Sequence, residues 1–244
     1  MSNGRKRWGA LAAMLALLLL ALPAMAGEET GGDSFWEDEE GFFDDDEFFE
    51  ACGSGGGPSI TWMQFDFDAA NEALEGEDLL AIPDQTLYWG GAGWGGIRTG
   101  DRLFVGIGGG GFSGSDEARQ GDMLTRWEHG AGYFALKGIY AMNTRLFVEG
   151  GVALGGGTSH IWAEDQEDNG DITVKVRGDR TFVLLRPHVG LDIRLARWVG
   201  ILVEGGYLLT SGEWHLDGNT DLISDLDMGE QSVPYGSVMI RFGI

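Results

Sequence analysis

Two pairs of charged residues have spacings that could support acid–base chemistry or a structural ion pair. They are Lys137 with Glu149, and Asp192 with Glu204. Folding 122–141 onto 145–164 about Asn143 sets Lys137 opposite Glu149. Folding the segment before Trp198 onto the one after it sets Asp192 opposite Glu204, with Arg194 one step along the same face. Adjacent carboxylates either share a proton or recruit a cation, so this arrangement suits a glycosidase-like acid–base pair or a packed polar interior. No G-x-S-x-G, no G-K-[ST] and no other nucleophile–base constellation accompanies them. Gly91-x-Gly93-x-x-Gly96 and Gly106-x-Gly108-x-x-Gly111 match a dinucleotide fingerprint by letter, but no helix follows either one. Asp165-x-Glu167-x-Asn169-Gly170-Asp171 imitates part of a calcium loop and lacks the final glutamate, since position 176 is Val176. His129, His160, His188 and His215 show no ligand spacing, so no metal and no cofactor is assigned. Arg177-Gly178-Asp179 reads as a glycine bulge in a strand rather than as an adhesion tripeptide. The chain is expected not to be an enzyme.

The elements that carry these residues are strands. Val189, Leu191, Ile193 and Leu195 alternate with His188, Gly190, Asp192 and Arg194, and Val199, Ile201, Val203 and Tyr207 repeat the pattern around Glu204. Leu146-Phe147-Val148-Glu149-Gly150-Gly151 echoes Ile201-Leu202-Val203-Glu204-Gly205-Gly206, so the repeated unit is a β-hairpin. Eight strands are predicted, near 60–68, 86–98, 102–112, 122–141, 145–164, 172–195, 199–215 and 232–243. A short helix is expected after Asp68. The links near Gly100, Asn143 and Arg197 are short, and those at 69–85, 113–121, 165–171 and 216–231 are long and polar. In a meander, short links then share one end and long links the other.

The region before the strands is of another kind. Arg5, Lys6 and Arg7, the apolar run Leu11 to Leu22, and Ala24-Met25-Ala26 have the form of a secretory signal peptide over 1–26. Residues 27–57 hold 12 acids and no base, interleaved with aromatic residues and ending in glycines. Such a segment reads as a disordered acidic linker, and as a docking segment for a protein partner. Cys52, the sole cysteine, excludes a disulfide framework and any cysteine-based metal site. The net charge of −23 excludes a nucleic-acid binder that works by phosphate neutralisation. The body is 58–244.

Short turns at one end, long loops at the other and an even strand count resemble the small eight-stranded bacterial outer-membrane β-barrels. The final residues Arg241-Phe242-Gly243-Ile244 depart from the aromatic last residue usual in that group. The resemblance implies an all-β, antiparallel up-and-down barrel, exported to the outer membrane, with the lipid bilayer as its partner and a structural, adhesion or docking role. Its interior would hold a polar network of Asp66, Asp68, Arg98, Arg102, Lys137, Glu149, Asp192, Arg194, Glu204 and Arg241, with Gln64 and His188 on the same face. Seven tryptophans, Trp62, Trp89, Trp94, Trp127, Trp162, Trp198 and Trp214, would supply girdles at the membrane surfaces. The alternative is a soluble periplasmic or extracellular lipocalin-like barrel that binds a small apolar ligand, with the apolar faces turned inward.

Overall fold

The computed structural model describes residues 53–76, 78–83, 85–166, 172–196, 198–218 and 230–243. The elements are β1 (Ser54–Gln64), α1 (Asp68–Gly76), β2 (Gln85–Arg98), β3 (Leu103–Gln120), β4 (Met123–Ala141), β5 (Leu146–Gln166), β6 (Ile172–Ala196), β7 (Val199–Ser211), β8 (Trp214–Gly218) and β9 (Glu230–Gly243). Every pairing is antiparallel, and β1 pairs with β9, which closes the sheet. β7 and β8 both pair with β6 and form one stave interrupted at Gly212-Glu213, so the barrel has eight staves. The signal-peptide and acidic-linker segments up to Cys52 lie outside the described residues. The linker boundary at 57 is corrected, because Ser54 to Gly57 already pair with β2.

Two long links are also corrected, because pairing outlasts the apolar alternation. β3 and β4 continue to a tight turn at Gly121-Asp122, where Gly121 takes φ 60°. β5 and β6 remain paired out to Gln166 and Ile172, with 167–171 of the calcium-like motif outside the described residues. Polar residues on both faces hide these extensions from a period-2 search. Gly178 pairs regularly with Ile161, and the irregularity in this hairpin falls between Ala163 and Glu164 instead.

The interior has three layers. Phe104, Ile139, Ala141 and Phe147 close the short-turn end, and charged groups fill the middle. Above them, Tyr88, Phe112, Trp127, Ile161, Phe182 and Leu208 form a large apolar cluster. The segment 65–83 folds into that cluster and caps the lumen: Phe65, Phe67, Ala70, Leu74, Leu79 and Ile82 are all buried in it. Asn71 clamps the cap by donating from Nδ2 to Ile82 O (2.9 Å) and accepting from Ile82 N (2.7 Å). Asp78 at φ 59° turns the chain back after the helix.

Inward glycines leave space for inward aromatics. A Cβ on Gly106 would stand 2.7 Å from the Trp94 ring, one on Gly114 2.7 Å from Tyr88, and one on Gly157 2.6 Å from Phe182. A narrow barrel can hold large rings only where the facing wall is bare.

Candidate functional site: a charged lumen inside an apolar wall

The residues that alternate into the middle of the lumen form two ionic groups. In the first, Lys137 Nζ donates to Glu149 Oε1 and Oε2 (3.1 and 3.0 Å). Arg241 Nη1 donates to Glu149 Oε2 (3.1 Å) and to Asp192 Oδ2 (2.6 Å). Arg194 Nε lies 3.3 Å from Asp192 Oδ2, and its Nη1 donates to Gly243 O (2.7 Å). In the second, Arg186 donates to Glu204, Tyr235 Oη also donates to Glu204 (2.8 Å), and His188 Nε2 lies 3.8 Å from that carboxylate. The Arg186 guanidinium lies between the Tyr133 and Tyr235 rings, at 4.8 and 4.3 Å from their centroids. Lys137 and Arg241 both sit over Trp94. Buried charges persist only when paired in this way.

Several expectations are corrected here. Lys137 is directly opposite Gly151, and Glu149 opposite Ile139. The true register is displaced from a pivot at Asn143, whose side-chain oxygen accepts the amides of Arg145 and Leu146 in the turn. The two side chains meet diagonally across the same face. Asp192 and Glu204 are not opposite one another either; their strand partners are Leu202 and Gly190. Each carboxylate has its own arginine, so no shared-proton pair forms.

Asp66 and Asp68 are exposed, as is Gln64, because the inward phase of β1 runs through Ser59, Thr61 and Met63 and continues into Phe65 and Phe67. Arg98 and Arg102 are exposed at the short-turn end. There Arg98 donates to Gly100 O and Asp101 O, and Arg102 to Met142 O. Arg186, Tyr133 and Tyr235 are interior residues that sequence reasoning missed, as is the buried Arg180. Alternation back from Asp192 passes through His188 and reaches Arg186, so the signal existed for that residue.

A cavity of about 40 Å³ lies between the two ionic groups, lined by Lys137, Glu149, Arg186, His188, Glu204 and Arg241 among others. That is space for a few waters. A cavity of that size is too small for an apolar ligand, and the strand faces carrying Leu191, Ile193 and Val203 turn outward, so the lipocalin-like expectation of inward apolar faces is corrected. Ligand atoms of Glu149, His188 and Glu204 lie within 4.8 Å of one another. Both carboxylates are already engaged by Lys137, Arg241 and Arg186, so a divalent cation would have to displace these buried cations.

Among the described residues, a nucleophile–base pair lies above this layer. His129 Nδ1 is 2.7 Å from Ser159 Oγ. Both residues are buried, the ring stacks on Phe182 at 4.9 Å, and Phe65 of the cap covers it. Burial, aided by the nearby Arg180 charge, lowers His129 to about 3. A sealed pair with no carboxylate to orient the imidazole fits packing better than acyl transfer.

The outer surface has the opposite character. Outward positions run through 56–62, 87–97, 103–111, 132–140, 146–156, 183–195, 199–209 and 234–242. Each is apolar or glycine apart from the tyrosines Tyr140 and Tyr207. Leu87, Trp89, Ile107, Phe134, Leu136, Leu154 and Val183 are each more than 60 % exposed. Outward charges begin only beyond this belt, with Glu117, Arg126, Glu128, His160, Arg177 and Asp179 on the extended hairpins. Of the tryptophans, Trp62, Trp89 and Trp198 face outward and are exposed, whereas Trp94, Trp127 and Trp214 pack inside, so a girdle of all seven is corrected.

No protein-family model matches the chain, and no curated protein matches its sequence. Among solved structures it is similar to Ail, the attachment invasion locus protein of Yersinia pestis, with 12 % identity, 78 % of this chain and 99 % of that chain covered, and a TM-score of 0.45. It is also similar to CarO of Acinetobacter baumannii, with 12 % identity, coverage of 78 % and 97 %, and a TM-score of 0.39. A third likeness is to the outer membrane protease OmpT from Escherichia coli, with 8 % identity, coverage of 80 % and 97 %, and a TM-score of 0.43.

Proposed function

We propose that this chain is an outer-membrane barrel whose role is structural or adhesive and does not involve catalysis. The observation that carries the reading is the unbroken belt of uncharged outward side chains around all eight staves, enclosing a charged and plugged lumen. In water such a belt would expose far more contiguous apolar surface than a soluble monomer tolerates. In a bilayer it becomes the lipid face, and about 9–11 tilted residues per strand suffice to span it. The belt is of that height on β2, β3, β4, β5, β7 and β9, somewhat longer on β6 and shorter on β1.

The short turns and the chain termini would face the periplasm, and the extended hairpins would project outward. The lumen layer then acts as a staple across the barrel rather than as a pore, since its cavity admits only a few waters. The acidic segment before Ser54 is assigned a docking role toward a basic partner on the periplasmic side.

Cell fractionation tests this reading. The protein is expected in the membrane fraction after an alkaline carbonate wash, requiring detergent for release. Its gel mobility should shift on heating, as the barrel unfolds. Recovery in the aqueous periplasmic fraction would reject the proposal.

A further inference from the structure

The extended hairpins carry a row that sequence spacing hides. Strand register places Glu128 of β4 opposite His160 of β5, His160 opposite Asp179 of β6, and Asp179 opposite His215 of β8. All point outward, because Trp127, Ser159, Ile161, Gly178 and Arg180 on either side of them are buried inward. The row lies beyond the apolar belt, in contact with water. Facing residues in an antiparallel sheet have Cβ atoms about 5 Å apart. Asp179 is therefore flanked by an imidazole on each neighbouring strand.

We propose that His160, Asp179 and His215 form a surface site for a divalent transition metal of the zinc class. Of the two imidazoles His160 contacts Asp179, and His215, which faces Asp179 from the other side in register, would rotate onto an ion held at the carboxylate. Two imidazoles and one carboxylate form a donor set that Zn²⁺ accepts, with the remaining position left to water. His160 Nδ1 already contacts Asp179 Oδ1, so these two side chains are turned toward one another before any ion arrives. Arg177 Nε, 3.7 Å from Asp179 Oδ2, must swing aside, and it is on an exposed side chain. Glu128 is held by Arg126 and stays outside the donor set. The lumen trio of Glu149, His188 and Glu204 is the competing location, and buried cations oppose an ion there.

The test is titration of the detergent-solubilised full chain with Zn²⁺ against a chromophoric chelator. Three site variants, His160→Gln, Asp179→Asn and His215→Gln, are compared with His188→Gln. Heat-modifiable mobility verifies that each variant is folded. Each site variant should weaken binding at least about tenfold, while His188→Gln should bind as the parent does. Three results would overturn the site: no saturable binding by the parent, binding unchanged in all three site variants, or binding lost only in His188→Gln.

Discussion

At the scale of single residues, the lumen turns on Arg241, which bridges Glu149 and Asp192 and sits over the Trp94 ring. Arg241→Met removes the shared cation and leaves Asp192 dependent on Arg194. Breaking one partner out of a buried network costs about 3–5 kcal/mol. The expected result is a clear fall in the temperature at which heat-modifiable mobility is lost, with Lys137→Met showing a smaller fall because Arg241 still holds Glu149. His129 gives a pH dependence. It lies beyond the apolar belt, and its folded pKa of about 3 is below the ordinary value of 6.5. The fold favours the neutral ring, so its contribution is complete above about pH 6.5. It declines as pH falls toward 3, at up to about 1.4 kcal/mol per pH unit. His129→Phe should flatten stability across that window, as measured by denaturant unfolding at stepped pH; an unchanged slope would remove His129 from the account.

At the scale of elements, the wall depends on glycine opposite aromatic. Gly106→Val drives methyl groups into the Trp94 ring, whereas Gly138→Ala meets nothing within 4 Å. The first is expected to lower folding yield into detergent micelles sharply, and the second to leave it unchanged. The cap is a separate element: Leu74→Asp places a charge in the apolar cluster and should expose the 65–83 segment to protease while the barrel stays heat-modifiable. Much of this level was legible in the sequence. Val189, Leu191, Ile193 and Leu195 mark their strand by alternation alone, and Lys137 and Glu149 share a face because parity survives an error of two in register. The phase of β1 was not legible, since Asp66 and Asp68 alternate with Phe65 and Phe67 and either set could have faced inward. The cap settles it, because its aromatics need the lumen and its acids need water. The row through His160, Asp179 and His215 was likewise invisible, because its members are joined by pairing between strands and not by spacing along the chain.

At the scale of the molecule, the sequence's glycine excess and acidity divide by place. Of 43 glycines, 21 fall within 90–157, where they bare the wall beside inward rings and smooth its outer face. Among the described residues, charge is kept to the lumen, the turns, the cap and the extended hairpins. Leu136→Arg, near the middle of the belt on β4, should cost about 2–4 kcal/mol on unfolding from liposomes, while Thr158→Arg above the belt should cost little. The most direct measurement is spin-label accessibility in proteoliposomes, with Cys52 replaced by serine and single cysteines set at Leu136, Leu191 and Val238, and at Arg126 and Thr181 for comparison. Labels at the first three positions are expected to collide with oxygen and be shielded from an aqueous nickel chelate, and the last two to show the reverse. Equal access of the nickel chelate to both groups would contradict the assignment of the belt to lipid.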